Sequence, residues 1–209
     1  MNRLLIATSN PAKLAEYRLL LREFSLETLS LRDAGISEQP EEDGATFAEN
    51  ALKKARFYFE RAGLPTLADD GGLQIDALGG EPGVRSHRWL GAGASSDEAL
   101  VAEVIRRMQG VEPAKRTARL CAAVALIYKI DGAPREAITE AAMEGMIADR
   151  AWPHIRPGFP YRSVVYLPDR KCYVAELGDE EEARISQRRT ALAALAPDLR
   201  RLTSKLSSH

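Results

Sequence analysis

Strand-like and helix-like segments follow one another along this chain of 209 residues without strict alternation. The short apolar run RLLIA comes first, and the helix-forming run PAKLAEYRLLLREF follows after a polar loop. Later, two strand-like segments flank Asp131 and Gly132, a pair typical of a two-residue hairpin turn. Strict alternation would favour a parallel sheet, whereas this order predicts an α/β protein with a mixed sheet.

The charge balance argues against a nucleic-acid-binding protein, because 29 basic residues stand against 30 acidic ones. The N-terminal run MNRLLIATSN turns polar too early for a signal peptide, and no apolar run approaches membrane-spanning length. Cys121 and Cys172 are far apart and are expected to be reduced thiols. We therefore expect a single domain over residues 1–209, located in the cytoplasm, with neither nucleic acid nor a membrane as partner.

The first polar loop has the composition of a strand-to-helix connection. Thr8, Ser9 and Asn10 are turn and cap types, and Pro11 suits the first turn of a helix. The N–H groups at a helix N-terminus stabilise a bound phosphate, and Lys13 adds a positive charge. Because most such connections bind nothing, a plain capped connection is the alternative to a phosphate site.

The segment EEDGATFAENALKKARFYFERAG predicts a helix that starts with a capping box formed by Thr46 and Glu49. Asn50 and Lys54 are four residues apart, beside the apolar stripe of this helix. They are either a solvated pair at the edge of the stripe or polar groups that face a site.

In the stretch TLADDGGLQID, Asp69 and Asp70 are followed by two glycines between apolar runs. Asp-Gly in this setting is a strong hairpin signal, since glycine tolerates the positive φ of tight turns. Paired carboxylates are also suitable ligands for a hard metal ion. The stretch alone leaves both interpretations open.

Four segments together resemble the inosine/xanthosine triphosphate pyrophosphatase family, in the family's order and over nearly the whole chain. They are ATSNPAKLAEY, EEDGATFAENALKKA, LADDGGLQIDALGGEPGVRSHRW, and GFPY followed by ISQRRTAL. The resemblance implies Mg²⁺-dependent hydrolysis of ITP, dITP and XTP to the monophosphate and pyrophosphate, with Mn²⁺ as an alternative metal. It also implies an elongated mixed central sheet flanked by helices, in two lobes with an active cleft between them, and a homodimer.

The resemblance also implies roles for individual residues. Asp70 matches the base that receives a proton from water, and Lys54 matches a group that stabilises charge near the phosphates. The implied metal ligands are Glu42, Asp69 and Asp70. The implied substrate-binding residues are Thr8, Ser9, Asn10, Lys13, Asn50, Gly71, Phe159, Tyr161, Ser186, Gln187 and Arg188.

The chain departs from the family pattern mainly at the end that recognises the base. Arg162, Glu182 and Gln187 stand where the family has aspartate, lysine and histidine, while Ser9 replaces a glycine and Gly71 a serine. Arg162 and Glu182 are a swapped ion pair, the mark of another base preference, or the remains of a lost pocket. A nucleotide-binding protein with little turnover is the alternative from another functional class.

Overall fold

The computed structural model describes residues 2–91 and 96–204. Within these residues, seven strands form one sheet in the order β2-β1-β3-β4-β5-β6-β7. The strands are β1 (Arg3–Ile6), β2 (Glu27–Ser30), β3 (Thr66–Ile75), β4 (Thr117–Ile130), β5 (Ala133–Ile147), β6 (Val165–Leu167) and β7 (Cys172–Tyr173). The helices are α1 (Pro11–Leu20), α2 (Phe47–Ala62), α3 (Asp97–Arg107), α4 (Asp179–Ile185), α5 (Gln187–Ala194) and α6 (Ala196–Ser204).

The sheet is mixed, which confirms the predicted α/β class. β1 pairs in parallel with β2 and with β3, whereas β6 pairs antiparallel with β5 and with β7. None of the helices in the described part of the chain combines the length and apolarity needed to cross a membrane.

Two compact units make up the chain. The first lies within Met1–Asp70, Ala122–Ala141 and Arg188–His209, and the second comprises Gly71–Cys121 and Ala142–Gln187. The single domain and the cleft stay predictions.

In the first unit, β1 leads into α1 through a short polar loop, as predicted. Asn10 is the N-cap residue of α1, and its side chain accepts hydrogen bonds from the N–H groups of Ala12 and Lys13. Thr46 caps α2 in the same way, by accepting from the N–H of Glu49. The caps fix where each helix begins, since they satisfy N–H groups that lack an intrahelical partner.

The hairpin interpretation of TLADDGGLQID is wrong, because β3 runs unbroken through both aspartates and both glycines. Glycine is needed at position 72 for the close approach of Ser86 to the strand, and not for a turn. A Cβ at Gly72 would lie 2.0 Å from Oγ of Ser86. The hydroxyl of Ser86 accepts from the N–H of Leu73 and donates to the carbonyl of Gly83, so this serine anchors the strand.

The second unit has its own apolar core. The core draws on β3, α3, β4, β5 and β6, with Leu73, Val104, Leu120 and Val165 among its buried members. β4 and β5 are joined by the predicted two-residue turn, in which Asp131 and Gly132 have φ values of 49° and 84°.

The C-terminal helical segment is broken where a proline predicts it. α5 ends at Ala194 and α6 starts at Ala196, with Pro197 in its first turn. A proline is tolerated there, because the first N–H groups of a helix have no intrahelical acceptor. The predicted closing helix extended to residue 206, and residues 205–206 lie outside the described residues.

Candidate active site

Asp69 and Asp70 lie at the centre of β3, and both are buried. Because successive side chains of a strand point to opposite faces, the two carboxylates face different neighbours. Asp69 meets residues of α1 and α5, whereas Asp70 meets residues of α2. One strand thus presents two separately partnered carboxylates in the first unit.

Asp69 is held by two buried cations. Nζ of Lys13 lies 3.1 Å from Oδ2 of Asp69, and Nε of Arg188 lies 3.0 Å from the same oxygen. Arg188 also pairs with Glu16, with 3.4 Å between NH1 and Oε2. The other carboxylate oxygen of Asp69, Oδ1, is buried and has no hydrogen-bond partner among the described residues. It is an acceptor available to a metal ion or a ligand.

Burial and charge oppose each other in this cluster. Burial alone would raise the pKa of Asp69, but Lys13 and Arg188 hold it well below its ordinary value. Burial lowers the pKa of Lys13, and Asp69 offsets this only in part. Burial also disfavours the charge on Arg188, yet Glu16 and Asp69 raise its pKa above the ordinary value. Asp69 is therefore an anion at neutral pH.

Both oxygens of Asp70 are held by one face of α2. Nζ of Lys54 lies 3.2 Å from Oδ1 of Asp70, and Nδ2 of Asn50 donates to Oδ2 at 3.1 Å. Lys54 also lies 3.5 Å from Oε1 of Glu42. The interpretation of Asn50 and Lys54 as a solvated pair is wrong, since both side chains are buried.

Lys54 is a permanent cation in this setting. Burial lowers the pKa of Lys54, but Asp70 and Glu42 outweigh it and raise the pKa above the ordinary value of 10.5. A lysine that stays protonated cannot act as a general base, although it can neutralise charge on a phosphate.

The loop before α1 places its polar groups at the helix N-terminus. Oγ1 of Thr8 accepts from the N–H of Asn10 at 3.1 Å. Ser9 is exposed and does not have positive φ, so the loop accepts a side chain where the family has glycine. The structure thus puts Lys13, on the first turn of α1, beside Asp69 and leaves its phosphate role a prediction.

The three predicted metal ligands do not form a ready-made cage. Within residues 2–91 and 96–204, no group of three or more His, Cys, Asp or Glu side chains is arranged to hold a metal ion. Glu42 and Asp70 share the ammonium group of Lys54, whereas Asp69 faces Lys13 and Arg188. The metal assignment therefore stays a prediction.

In the second unit, Arg162 and Glu182 form a buried salt bridge. Nε of Arg162 lies 2.7 Å from Oε1 of Glu182, and NH1 of Arg156 lies 2.7 Å from Oε2. This contact is the one that the swapped-pair interpretation requires. The guanidinium carbon of Arg162 also lies 3.5 Å from the ring centroid of Phe159, in a cation–π arrangement.

The other predicted substrate-binding residues of the second unit are mostly buried. The hydroxyl of Tyr161 donates to the carbonyl of Ser86 at 2.6 Å, and the tyrosine belongs to the apolar core. Gly71 and Ser186 are buried, and Phe159 is partly exposed. Gln187 is 4% exposed, and its Oε1 has no hydrogen-bond partner in the described part of the chain. Their contacts with a substrate stay predictions.

Sequence reasoning missed several residues that support the site. Glu16 pairs with Arg188, Arg156 bridges Glu182 and the carbonyl of Leu177, and the N–H of Gly158 donates to Asp97. Glu16 was within reach of sequence reasoning, because it lies three residues after Lys13 on one helix. Arg156 lies in a segment without periodicity, and no signal in the sequence points to its partners.

Comparison with known proteins decides the family. The Ham1 family model matches residues 4–198. This chain belongs to the Ham1 family. It is 41% identical over 195 residues to the dITP/XTP pyrophosphatase of Geobacillus kaustophilus, a match that covers 93% of each protein. It is 36% identical to the dITP/XTP pyrophosphatase of Vibrio parahaemolyticus, over 98% of this chain and 100% of that protein.

Solved Ham1 structures share the fold. The HAM1 protein from Coxiella burnetii has a TM-score of 0.80 and 34% identity, with 95% of this chain and 98% of that chain covered. The nucleoside-triphosphatase, dITP/XTP pyrophosphatase, from Mycobacterium abscessus has a TM-score of 0.70 and 37% identity, with 93% and 99% covered. The family predicted from the sequence motifs is thereby confirmed.

Proposed function

We propose that this protein hydrolyses non-standard purine nucleoside triphosphates such as ITP, dITP and XTP to the monophosphate and pyrophosphate. The observation that carries the proposal is the buried cluster on β3, in a chain 36–41% identical to proteins named dITP/XTP pyrophosphatase. In this cluster three cations surround two central carboxylates. The cations are Lys13, Lys54 and Arg188.

The cations suit a polyanionic substrate. Lys13 and Lys54 are buried side chains that neutralise phosphate charge in a region where water screens it weakly. The N-terminus of α1, which is capped by Asn10, adds the positive end of a helix dipole. The phosphate tail is proposed to be held by Thr8, Ser9 and Asn10. Arg188, which contacts Asp69, is proposed to bind the substrate as well.

Asp70 is proposed to receive the proton of the attacking water. Water adds to one of the two phosphorus atoms that flank the oxygen between the α- and β-phosphates, the bond from that phosphorus to the bridging oxygen breaks, and the monophosphate and pyrophosphate separate. Lys54 and Asn50 orient the two oxygens of Asp70, so the carboxylate is fixed before substrate binds. Lys54 in addition stabilises the charge that develops on the phosphate oxygens.

A divalent metal fits the donor set. Mg²⁺ is usually bound by one or two carboxylates together with substrate phosphates and water, so a closed cage of protein ligands is not required. Asp69 offers its Oδ1, which has no partner within the described ranges, and Glu42 and Asp70 already share a cation, Lys54. When bound, Mg²⁺, or Mn²⁺ in its place, neutralises phosphate oxygens and makes water more acidic.

The base is proposed to contact Phe159, Tyr161, Ser186 and Gln187, whereas the backbone N–H of Gly71 is proposed to face a phosphate. A second candidate specificity is favoured by Gln187, which stands where the family has histidine and whose buried Oε1 has no partner among the residues that the structure describes. A buried acceptor rejects a base that leaves it unmatched, so the change from histidine to glutamine selects another hydrogen-bonding edge.

Three further properties are proposed with this function. We propose that the protein acts as a homodimer, in the cytoplasm, and as one functional domain. The family model spans residues 4–198, and neither Cys121 nor Cys172 forms a disulfide within the described part of the chain.

The experiment that tests the function is a substrate panel. Purified protein is given ITP, dITP, XTP, the four standard triphosphates and several damaged ones, with Mg²⁺ or with a chelator. The products are separated by anion exchange. We expect pyrophosphate and a monophosphate from a non-standard purine triphosphate, and none with chelator. A standard or pyrimidine triphosphate as the best substrate overturns the proposed specificity. Release of orthophosphate overturns the proposed bond cleavage.

A further inference from the structure

Asn50, on α2, lies between Asp70 and the segment before α2 that contains Glu42 and Gly44. It is fully buried, with 0% of its surface exposed. Its Nδ2 donates to Oδ2 of Asp70 at 3.1 Å, and its Oδ1 accepts from the N–H of Gly44 at 2.8 Å. Both ends of the amide are thus engaged by the protein.

The orientation of the amide follows from the Gly44 contact. A backbone N–H is only a donor, so it requires the oxygen of Asn50 on its side and leaves the NH₂ group for Asp70. The residue at position 50 must therefore accept at one end and donate at the other. Aspartate, the isosteric residue, can meet only the first demand.

Gly44 is small because Asn50 needs the space. A Cβ at Gly44 would lie 2.7 Å from Oδ1 of Asn50 and 2.9 Å from Cβ of Glu49. Gly44 follows Glu42 by two residues, and Glu42 lies 3.5 Å from Lys54. Asn50 thus joins the segment that carries Glu42 to the carboxylate of Asp70.

We propose that Asn50 is a positioning residue, which fixes Asp70 relative to the Glu42 segment, and not a ligand of the substrate. The inference rests on the proposed hydrolysis. It replaces the substrate-binding role that the sequence motif implied for Asn50. Lys54 holds Oδ1 of Asp70 from one turn further along the same helix, so the pair of donors defines the plane of the carboxylate.

The test separates the two ends of the amide. Asn50→Asp keeps the acceptor for Gly44 and places an oxygen against Asp70, whereas Gly44→Ala displaces the segment and leaves a donor for Asp70. Because small misplacements of a catalytic group cost about 100-fold, we expect Asn50→Asp to lower kcat by about that factor. KM should stay near the wild-type value, and Gly44→Ala should give a smaller loss of kcat.

Glu49→Ala is the matched control. Glu49 is outside the site, and its carboxylate accepts from the N–H of Ala45, next to Gly44. This variant removes one contact of the same segment but keeps the Gly44–Asn50 and Asn50–Asp70 hydrogen bonds, so its kcat should remain close to wild type. Thermal unfolding checks that each variant is folded, and Gly44→Ala decides the matter if Asn50→Asp does not fold.

Amide hydrogen exchange at Gly44 gives a readout independent of turnover. Protection should persist in Asn50→Asp, which still accepts from Gly44, and be lost in Asn50→Ala. A raised KM with unchanged kcat would make Asn50 a substrate ligand and overturn the inference. Unchanged kcat in the folded variants, or equal protection in all of them, overturns it too. A wild-type protein without pyrophosphatase activity would instead refute the proposed function.

Discussion

Nε of Arg162 lies 2.7 Å from Oε1 of Glu182, and both side chains are buried. The motifs that this chain resembles have an acidic residue and a lysine at these two positions, so both charges are reversed here, and the two reversed residues contact each other. An uncompensated buried charge costs several kcal/mol, which explains why one reversal requires the other.

Reversing the pair again should show this compensation. We expect Arg162→Asp or Glu182→Lys alone to lower the free energy of unfolding by about 3 kcal/mol, because each leaves like charges buried together. The double variant should regain much of that loss. The recovery is expected to be partial, since Arg156 also pairs with Glu182 and would face the new lysine. Urea unfolding measures all four proteins.

The exposed pair of Arg170 and Glu181 is the control for this cycle. Its atoms are 3.0 Å apart, but the side chains are 42% and 52% exposed. The same reversals there should change stability by less than about 1 kcal/mol. A double variant of Arg162 and Glu182 that is no more stable than its worse single variant would contradict the compensation.

Neighbouring lysines of α2 should differ sharply in their effect on turnover. Lys54 contacts Asp70 and Glu42 and is buried, whereas Lys53 pairs with Asp43 and is exposed. We expect Lys54→Met to lower kcat by about 100-fold, the usual loss when a preorganised charge-stabilising group is removed. Lys53→Met should leave kcat nearly unchanged. Steady-state kinetics checks both, and equal losses would refute the role of Lys54.

Replacement of Gln187 should preserve or raise the stability of the fold and weaken nucleotide binding. Its Oε1 is buried with no hydrogen-bond partner in residues 2–91 and 96–204, and a buried acceptor without a partner costs about 1–3 kcal/mol. Gln187→Met removes the acceptor and keeps the volume, so the free energy of unfolding should rise or hold. KM for the best nucleotide should rise, since the base loses a partner. A less stable variant with unchanged KM would show that this amide serves the fold alone.

Acid should erase the contribution of Asp69 to stability. Its pKa in the folded protein lies well below the ordinary value of 3.8, because Lys13 and Arg188 outweigh the effect of burial. The unfolded chain therefore binds the proton first, and stability falls as pH drops from about 4 toward the folded pKa. The difference in unfolding free energy between wild type and Asp69→Asn should be steady near neutral pH and shrink below about pH 4.

Asp169→Asn, at an exposed aspartate, serves as the comparison for the acid experiment. Its difference from wild type should stay small over the same pH range. If the difference in unfolding free energy between wild type and Asp69→Asn does not become smaller in acid, the cations do not hold the Asp69 carboxylate in its charged form.

Local patterns in the sequence predict much of this structure. The spacing of Asn50 and Lys54 places both on one face of α2, and Asp131-Gly132 marks the turn between β4 and β5. Pro197 marks the break between α5 and α6. These features depend on helix period, turn chemistry and proline geometry, which act over a few residues.

The remaining features depend on contacts between distant segments. In the sequence Gly72 looks like a turn glycine. In the structure, glycine is required there because a side chain would collide with the hydroxyl of Ser86, fourteen positions away in the chain. The reversed charges predict Arg162 as a partner of Glu182, whereas no pattern in the sequence predicts its second partner, Arg156. The face of β3 on which each aspartate lies is defined by its partners on distant helices, Lys13 and Arg188 for Asp69 and Lys54 for Asp70.

The most direct measurement compares wild type with Asp70→Asn in the release of pyrophosphate from dITP with Mg²⁺. Asparagine keeps the size of the side chain but is a poor proton acceptor, and Lys54 and Asn50 remain nearby. We expect wild type to release pyrophosphate and monophosphate, and we expect the variant to bind nucleotide with turnover near background. Equal rates from the two proteins would contradict the assignment of Asp70 as the base.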